Sequence, residues 1–390
     1  MPLATIRGAR PAAVVLALLT AACGGSDGGD TTAPTAVADD QGEVSRNMVL
    51  LDNVDVETLT RSALGAQIHS SHDEVDNTHG VSAAGNWGYT TADGRRFALT
   101  GTSEGLSIVE VTDPAAARVV ALIPGEHSLW REVRTYRHWA YVTTEAKTGL
   151  DIVDLADPDH PVKVRTWSET FTSAHSLWID EERGLLYANG SSNGMRVLDL
   201  EPDPENPRDV GGFDGFYVHD SYSRGDRLFA AAISDGFLGI LDVRDLESIV
   251  EVERFFTGGR FTHNAWLTDD GRYLFTTDER PTRPIEGWDL LGGPPVRKVS
   301  EYIARPGGLP HNVMIDGHRL VVSHYTDGVR LLDIRDPERS VEMGFYDTFE
   351  GPDENFEGAW GSYIFPASNL ILVSDISGGL FVVQYTGDAP

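Results

Sequence analysis

Four histidines stand at near-equal intervals along the chain: His175, His219, His263 and His311, 44, 44 and 48 residues apart. Each opens a similar phrase: His175-Ser-Leu-Trp, His219-Asp-Ser-Tyr, His263-Asn-Ala-Trp and His311-Asn-Val-Met. The longer last step coincides with an insertion between Pro281 and Pro295. Trp130-Arg-Glu-Val, Trp360-Gly-Ser-Tyr and Asn86-Trp-Gly-Tyr hold the related places in other copies. Neutral imidazole is a good ligand for Zn, Cu, Fe or Ni, and carboxylates can ligate or orient it. Acids recur at a matching interval: Glu104, Glu145, Asp235, Asp278, Glu279, Asp327 and Asp375. Of these, Glu145, Asp235, Asp278, Asp327 and Asp375 are taken as candidate outer-sphere acids or ligands. If the four histidines converge, they form a site for a divalent metal ion or a small ligand. A purely structural reading fits the same pattern, with each histidine capping its strand and fixing the junction to the next unit.

A second repeat tells what must carry these residues. A phrase of Gly, apolar, variable, two apolar residues and an acid recurs with its acid at Glu110, Asp154, Asp199, Asp242, Asp289 and Asp333; Gln384 takes that place in the last copy. The steps are 44, 45, 43, 47, 44 and 51 residues. A unit of 40–50 residues built from short β-branched runs is the spacing of a β-propeller blade. Seven copies predict an all-β, seven-bladed β-propeller of four-stranded antiparallel blades. Residues 175–213 show one blade: strands over 175–179, 185–189, 195–200 and 209–213, separated by Gly-, Asn- and Pro-rich turns. The last copy ends after its third strand. Asn47–Asp55, an extra strand before the first copy, is predicted to fill the gap and close the ring, which removes two exposed sheet edges.

In such a ring each first strand lines the central channel. Equivalent first-strand residues then face one axis, and second strands end on the same face, which would bring the acids to the histidines. Trp87, Trp130, Trp178, Trp266 and Trp360 recur near these positions; they read as packing residues or as a platform for stacking sugars. A further group, His69, His72 and His79 among acids, precedes the first blade and reads as a polar loop.

The N-terminus carries a different kind of chemistry. Arg7 and Arg10 precede an apolar run over 12–19, too short to span a bilayer. It ends Leu19-Thr-Ala-Ala-Cys23, which resembles the bacterial lipobox, whose cysteine is lipidated after cleavage. Residues 1–22 are thus expected to be a lipoprotein signal peptide, Cys23 a lipid attachment site, 23–44 a Gly/Thr/Asp-rich flexible tether and 45–386 the propeller. Cys23 is the single cysteine, so no intrachain disulfide can form. Gly24 after it lacks the Asp that retains lipoproteins at an inner membrane, which points to an outer membrane or cell surface. The net charge of −29 excludes nucleic acid as a natural partner. No HExxH helix, P-loop or dinucleotide fingerprint occurs.

The phrases GLSIVEVTDP, GLDIVDLADP and GVRLLDIRDP resemble the LVIVD repeat. Together with NWGYT, SAHSLWID, YVHDSYS, FTHNAWLTDDGRYLFTTDE, LPHNVMI and FEGAWGSYIFPASNLILVSDISGGLFVV, they make residues 80–385 similar to the choice-of-anchor B family. The resemblance implies an extracytoplasmic propeller held at the cell surface, here through Cys23, and implies no reaction. The expected function is a surface-anchored binding or scaffold module for a protein or small-molecule ligand, with a metal or ligand site at the channel. The alternative is a metal-dependent hydrolase using the histidine cluster.

Overall fold

Each repeat phrase becomes the third strand of a blade, and its residue types explain why. The apolar positions are buried on both faces, as at Ile108 and Val109, Ile152 and Val153, and Leu331 and Leu332, because neighbouring blades cover the sheet from either side. The opening glycine lies in left-handed φ space at Gly105 (+147°), Gly149 (+116°) and Gly379 (+88°). A Cβ at Gly105 would sit 2.1 Å from the Ile123 carbonyl oxygen of the adjoining outer strand, so only glycine permits the approach. The closing acid makes a local turn: Asp199, Asp242, Asp289 and Asp333 each accept the amide two residues on. Glu110, Asp199, Asp242, Asp289 and Asp333 also pair with arginines at the blade corner.

The computed structural model describes residues 35–37, 43–61, 80–291, 295–351 and 356–387. It is a seven-bladed β-propeller. Blades 1 to 6 run over 83–124, 133–167, 176–213, 220–256, 262–303 and 313–346, each an antiparallel meander. Blade 7 joins Ala359–Ile364, Leu370–Asp375 and Gly379–Tyr385 to the N-terminal strand Met48–Val54, with Met48 opposite Tyr385 and Val54 opposite Leu380. The ring is therefore closed by the N-terminal strand. First strands touch their neighbours in cyclic order, blade 7 meeting blade 1, so they wall the axis. Blade 3 has its strands at Ser176–Asp180, Leu185–Asn189, Met195–Asp199 and Arg208–Phe213, each boundary within one residue of the sequence reading.

Two short strands add to outer edges: Ser45–Arg46 on blade 6 and, in parallel, Thr35–Val37 on blade 5. The latter lies within the segment expected to be a tether. A one-turn helix, Val56–Thr60, is capped by the Asp55 carboxylate and buries Leu59 completely. Cys23, His69, His72 and His79 lie outside the described residues.

Candidate metal centre at one mouth of the channel

The channel has three tiers because consecutive first strands present equivalent residues. The first tier is Ala84, Arg131, His175, His219, His263, His311 and Trp360; the next residue of each strand is Gly85, Glu132, Ser176, Asp220, Asn264, Asn312 and Gly361. Three residues beyond the first tier come Trp87, Arg134, Trp178, Tyr222, Trp266, Met314 and Tyr363, which all line one cavity at the far mouth.

The four histidines converge. Ring centroids are 4.3 Å apart for His175 and His219, 4.5 Å for His219 and His263, and 4.2 Å for His263 and His311. The arc continues through Trp360, 4.2 Å from His311, to Trp130, stacked on Trp360 at 4.2 Å. Trp130 precedes its tier; Arg131 holds the equivalent place, buried, with Nε donating to the Thr102 carbonyl. Likewise Ala84, not Asn86, is blade 1's counterpart. Blade 1 is small here for a reason: a Cβ on Gly85 would meet the Glu132 carboxylate at 2.3 Å. That carboxylate accepts from Trp360 Nε1 at 2.9 Å and from Arg134.

The buried imidazoles differ in what they reach. Nδ1 of His219 and Nδ1 of His263 are buried without a hydrogen-bond partner. His311 instead donates Nδ1–H to the Trp360 carbonyl, which fixes its tautomer and leaves Nε2 as a lone-pair nitrogen. Nε2 is completely buried and lies 3.7 Å from Glu279 Oε1. His263, Glu279 and His311 bring one ligand atom each within 4.8 Å of one another. Burial holds all three histidines neutral: it pushes His219 and His263 well below the usual range, reinforced by neighbouring imidazoles, and His311 down to about 3. Burial also raises the Glu279 carboxyl to about 7, against the Tyr325 hydroxyl that donates to Oε1 at 2.6 Å. Tyr325 sits at φ +41° in the blade 6 loop, its backbone paired with Ala359. Neutral imidazole is the form that ligates a divalent cation, and Glu279 would join it as the carboxylate, releasing its proton on binding.

His175 differs. Burial disfavours its charge, but Glu145 Oε1 at 2.7 Å from Nδ1 outweighs that and raises its pKa.

The other expected acids do not reach the arc. Asp278 turns away to cap the loop entering blade 5, accepting from Thr257 Oγ1, Gly259 N and Phe261 N at 2.6–2.8 Å. Its neighbour Glu279, on the opposite face of the extended chain, is the acid that reaches the arc, 3.7 Å from His311 Nε2. Asp327 binds Arg305 and lies 2.8 Å from His324 Nδ1. Asp375 accepts from Thr348 Oγ1 and two amides of its own turn. Asp235 is exposed in the turn after Ala232. Gly101-Thr-Ser-Glu-Gly105 spells a G-x-S-x-G sequence, but it forms a strand-to-strand turn with Ser103 buried and bonded to Ser82 N, lacking the helix of a nucleophile elbow.

No family profile matches the chain, and no curated protein is similar to it. A solved structure from Bacteroides fragilis, described as a provisionally assigned 6-phosphogluconolactonase, superposes with a TM-score of 0.54 at 12% identity, covering 77% of this chain and 89% of that one. At that identity the likeness shows the propeller fold alone.

Proposed function

We propose that the chain is a propeller of the LVIVD-repeat, choice-of-anchor B type, exported and held at the cell envelope by lipid on Cys23. It serves as a binding or scaffold module whose channel mouth holds one divalent transition metal ion through His263, Glu279 and His311. The observation that carries the metal reading is the buried His311 Nε2, unpartnered and tautomer-fixed, facing Glu279 with His263 beside it. Ligand atoms around a tetrahedral zinc ion stand about 3.4 Å apart, so closing the 4.8 Å separations by up to about 1.4 Å converts the cluster into a coordination set. His219, next in the arc, offers a fourth nitrogen.

The test is metal content after dialysis against zinc, copper, iron or nickel. About one tightly held ion per chain is expected, lost in His263→Ala and His311→Ala while the circular dichroism of the propeller persists. A wild-type protein that retains none of the four metals overturns the reading.

One observation favours a second reading, the metal-dependent hydrolase: two histidines and a glutamate leave a fourth tetrahedral position for water. Turnover of an ester or lactone by the loaded protein, abolished by Glu279→Gln, would select it.

A further inference from the structure

The opposite mouth of the channel holds a second site, built by different residues. Its cavity has a volume of about 360 Å³, within the range of small-molecule sites. All seven blades contribute the third-tier residue to its wall: Trp87, Arg134, Trp178, Tyr222, Trp266, Met314 and Tyr363. Five of the seven are aromatic. They interlock edge to face and tilted: Trp87 with Tyr363 at 4.7 Å, Trp178 with Tyr222 at 4.6 Å and Trp178 with Trp266 at 5.0 Å. The tyrosines and Met314 are buried, but all three indoles are only half-buried. They pack against the blade cores on one side and keep part of their surface open to the cavity.

The charges around the cavity decide what it suits. An aromatic cage for a free cation needs open ring faces. Here the Arg134 guanidinium lies 4.3 Å from the Trp87 ring and that of Arg224 lies 5.6 Å from Tyr222, so these faces are taken and a second cation is repelled. A strongly anionic ligand meets Glu181 and Glu182 at the rim, in a chain of net charge −29. What remains is a neutral molecule with apolar faces and many hydroxyls, since the rim offers guanidinium donors and carboxylate acceptors together. We propose that this cavity binds a neutral sugar, of one or two rings, its C–H faces against Trp178 and Trp266 and its hydroxyls against Glu181 and Arg134. The assignment is independent of the metal centre, from which it is separated by the tier of Glu132, Asp220 and Asn264.

The test uses the full chain, with cellobiose, maltose and N,N′-diacetylchitobiose as probes, followed by tryptophan fluorescence and isothermal titration. Saturable binding of at least one disaccharide is expected. Trp178→Ala should weaken it about tenfold or more, as the loss of an aromatic contact face implies. Glu181→Gln, an exposed change that the fold tolerates, should weaken it severalfold. His263→Ala should leave it unchanged. If none of the three sugars binds the wild-type protein, or if tetramethylammonium binds where they do not, the proposal is overturned. Binding that survives both Trp178→Ala and Glu181→Gln at full affinity also overturns it.

Discussion

At the scale of single residues, one hydroxyl sets how Glu279 meets the histidines. Tyr325 donates to Oε1 at 2.6 Å from a left-handed backbone position, and groups that orient a metal ligand typically govern 10–100-fold in affinity. Tyr325→Phe should keep the fold and weaken zinc binding about tenfold, read by competition with a chromogenic chelator; wild-type affinity would show that the hydroxyl does not position Glu279. The histidines themselves were legible because a repeated fold repeats its channel positions. Glu279 was harder to single out, because Asp278 stands beside it and both precede the same turn. Which of two adjacent acids points inward depends on the alternation of an extended chain at its frayed end. Tyr325 left no trace in the repeat, since it belongs to an irregular loop of one blade only.

At the scale of the element, the acid of each repeat is a turn residue rather than a chemical one. Asp289 accepts the amide of Leu291 at 2.9 Å and pairs with Arg272 and Arg297. The two contributions can be separated. Asp289→Asn retains the turn and loses only arginines that are substantially exposed, which should cost below about 1 kcal/mol. Asp289→Ala loses both and leaves the turn amide unsatisfied, for about 1–3 kcal/mol. Chemical denaturation of the two variants checks the order; equal losses would show that the arginines dominate. These corner residues were readable as a period but not as a mechanism. Blade boundaries in blade 3 followed from turn chemistry to within a residue, whereas blades 1 and 2 were read one or two residues out of register. There the tryptophan that resembles its counterparts, Trp130, sits beside the true position, and blade 1 carries Ala84 and Gly85 to make room for Glu132. Sequence similarity follows side-chain type, while register follows the space left by a neighbouring blade.

At the scale of the whole molecule, two populations of carboxyls pull the stability in opposite directions with pH. Asp242 and Asp289, held by Arg244 and Arg272, have pKa values lowered to about 2. Their stabilisation is fully present above the unfolded value of about 3.9 and is lost as pH falls toward 2. Glu286 and Asp347 behave conversely. Burial outweighs the Lys298 ammonium and raises Glu286 to about 7, and burial raises Asp347 to about 6. Their folded forms hold protons that the unfolded chain has released, so stability grows as pH falls from about 7 toward the unfolded value of about 4.3, by up to about 3 kcal/mol for Glu286. Partial neutralisation of the −29 net charge acts in the same sense. The melting temperature should therefore pass through a maximum near pH 4–5, below neutrality, and drop steeply toward pH 2. Glu286→Gln should flatten the limb between pH 5 and 7 while leaving the acid limb unchanged. Blade 7 is closed by Met48–Val54 pairing with Gly379–Tyr385, so opening that pairing opens the ring. A single calorimetric transition whose midpoint follows this curve is the expected result; a midpoint that rises steadily from pH 5 to 8 would mean that the buried carboxyls are better paired than their surroundings indicate.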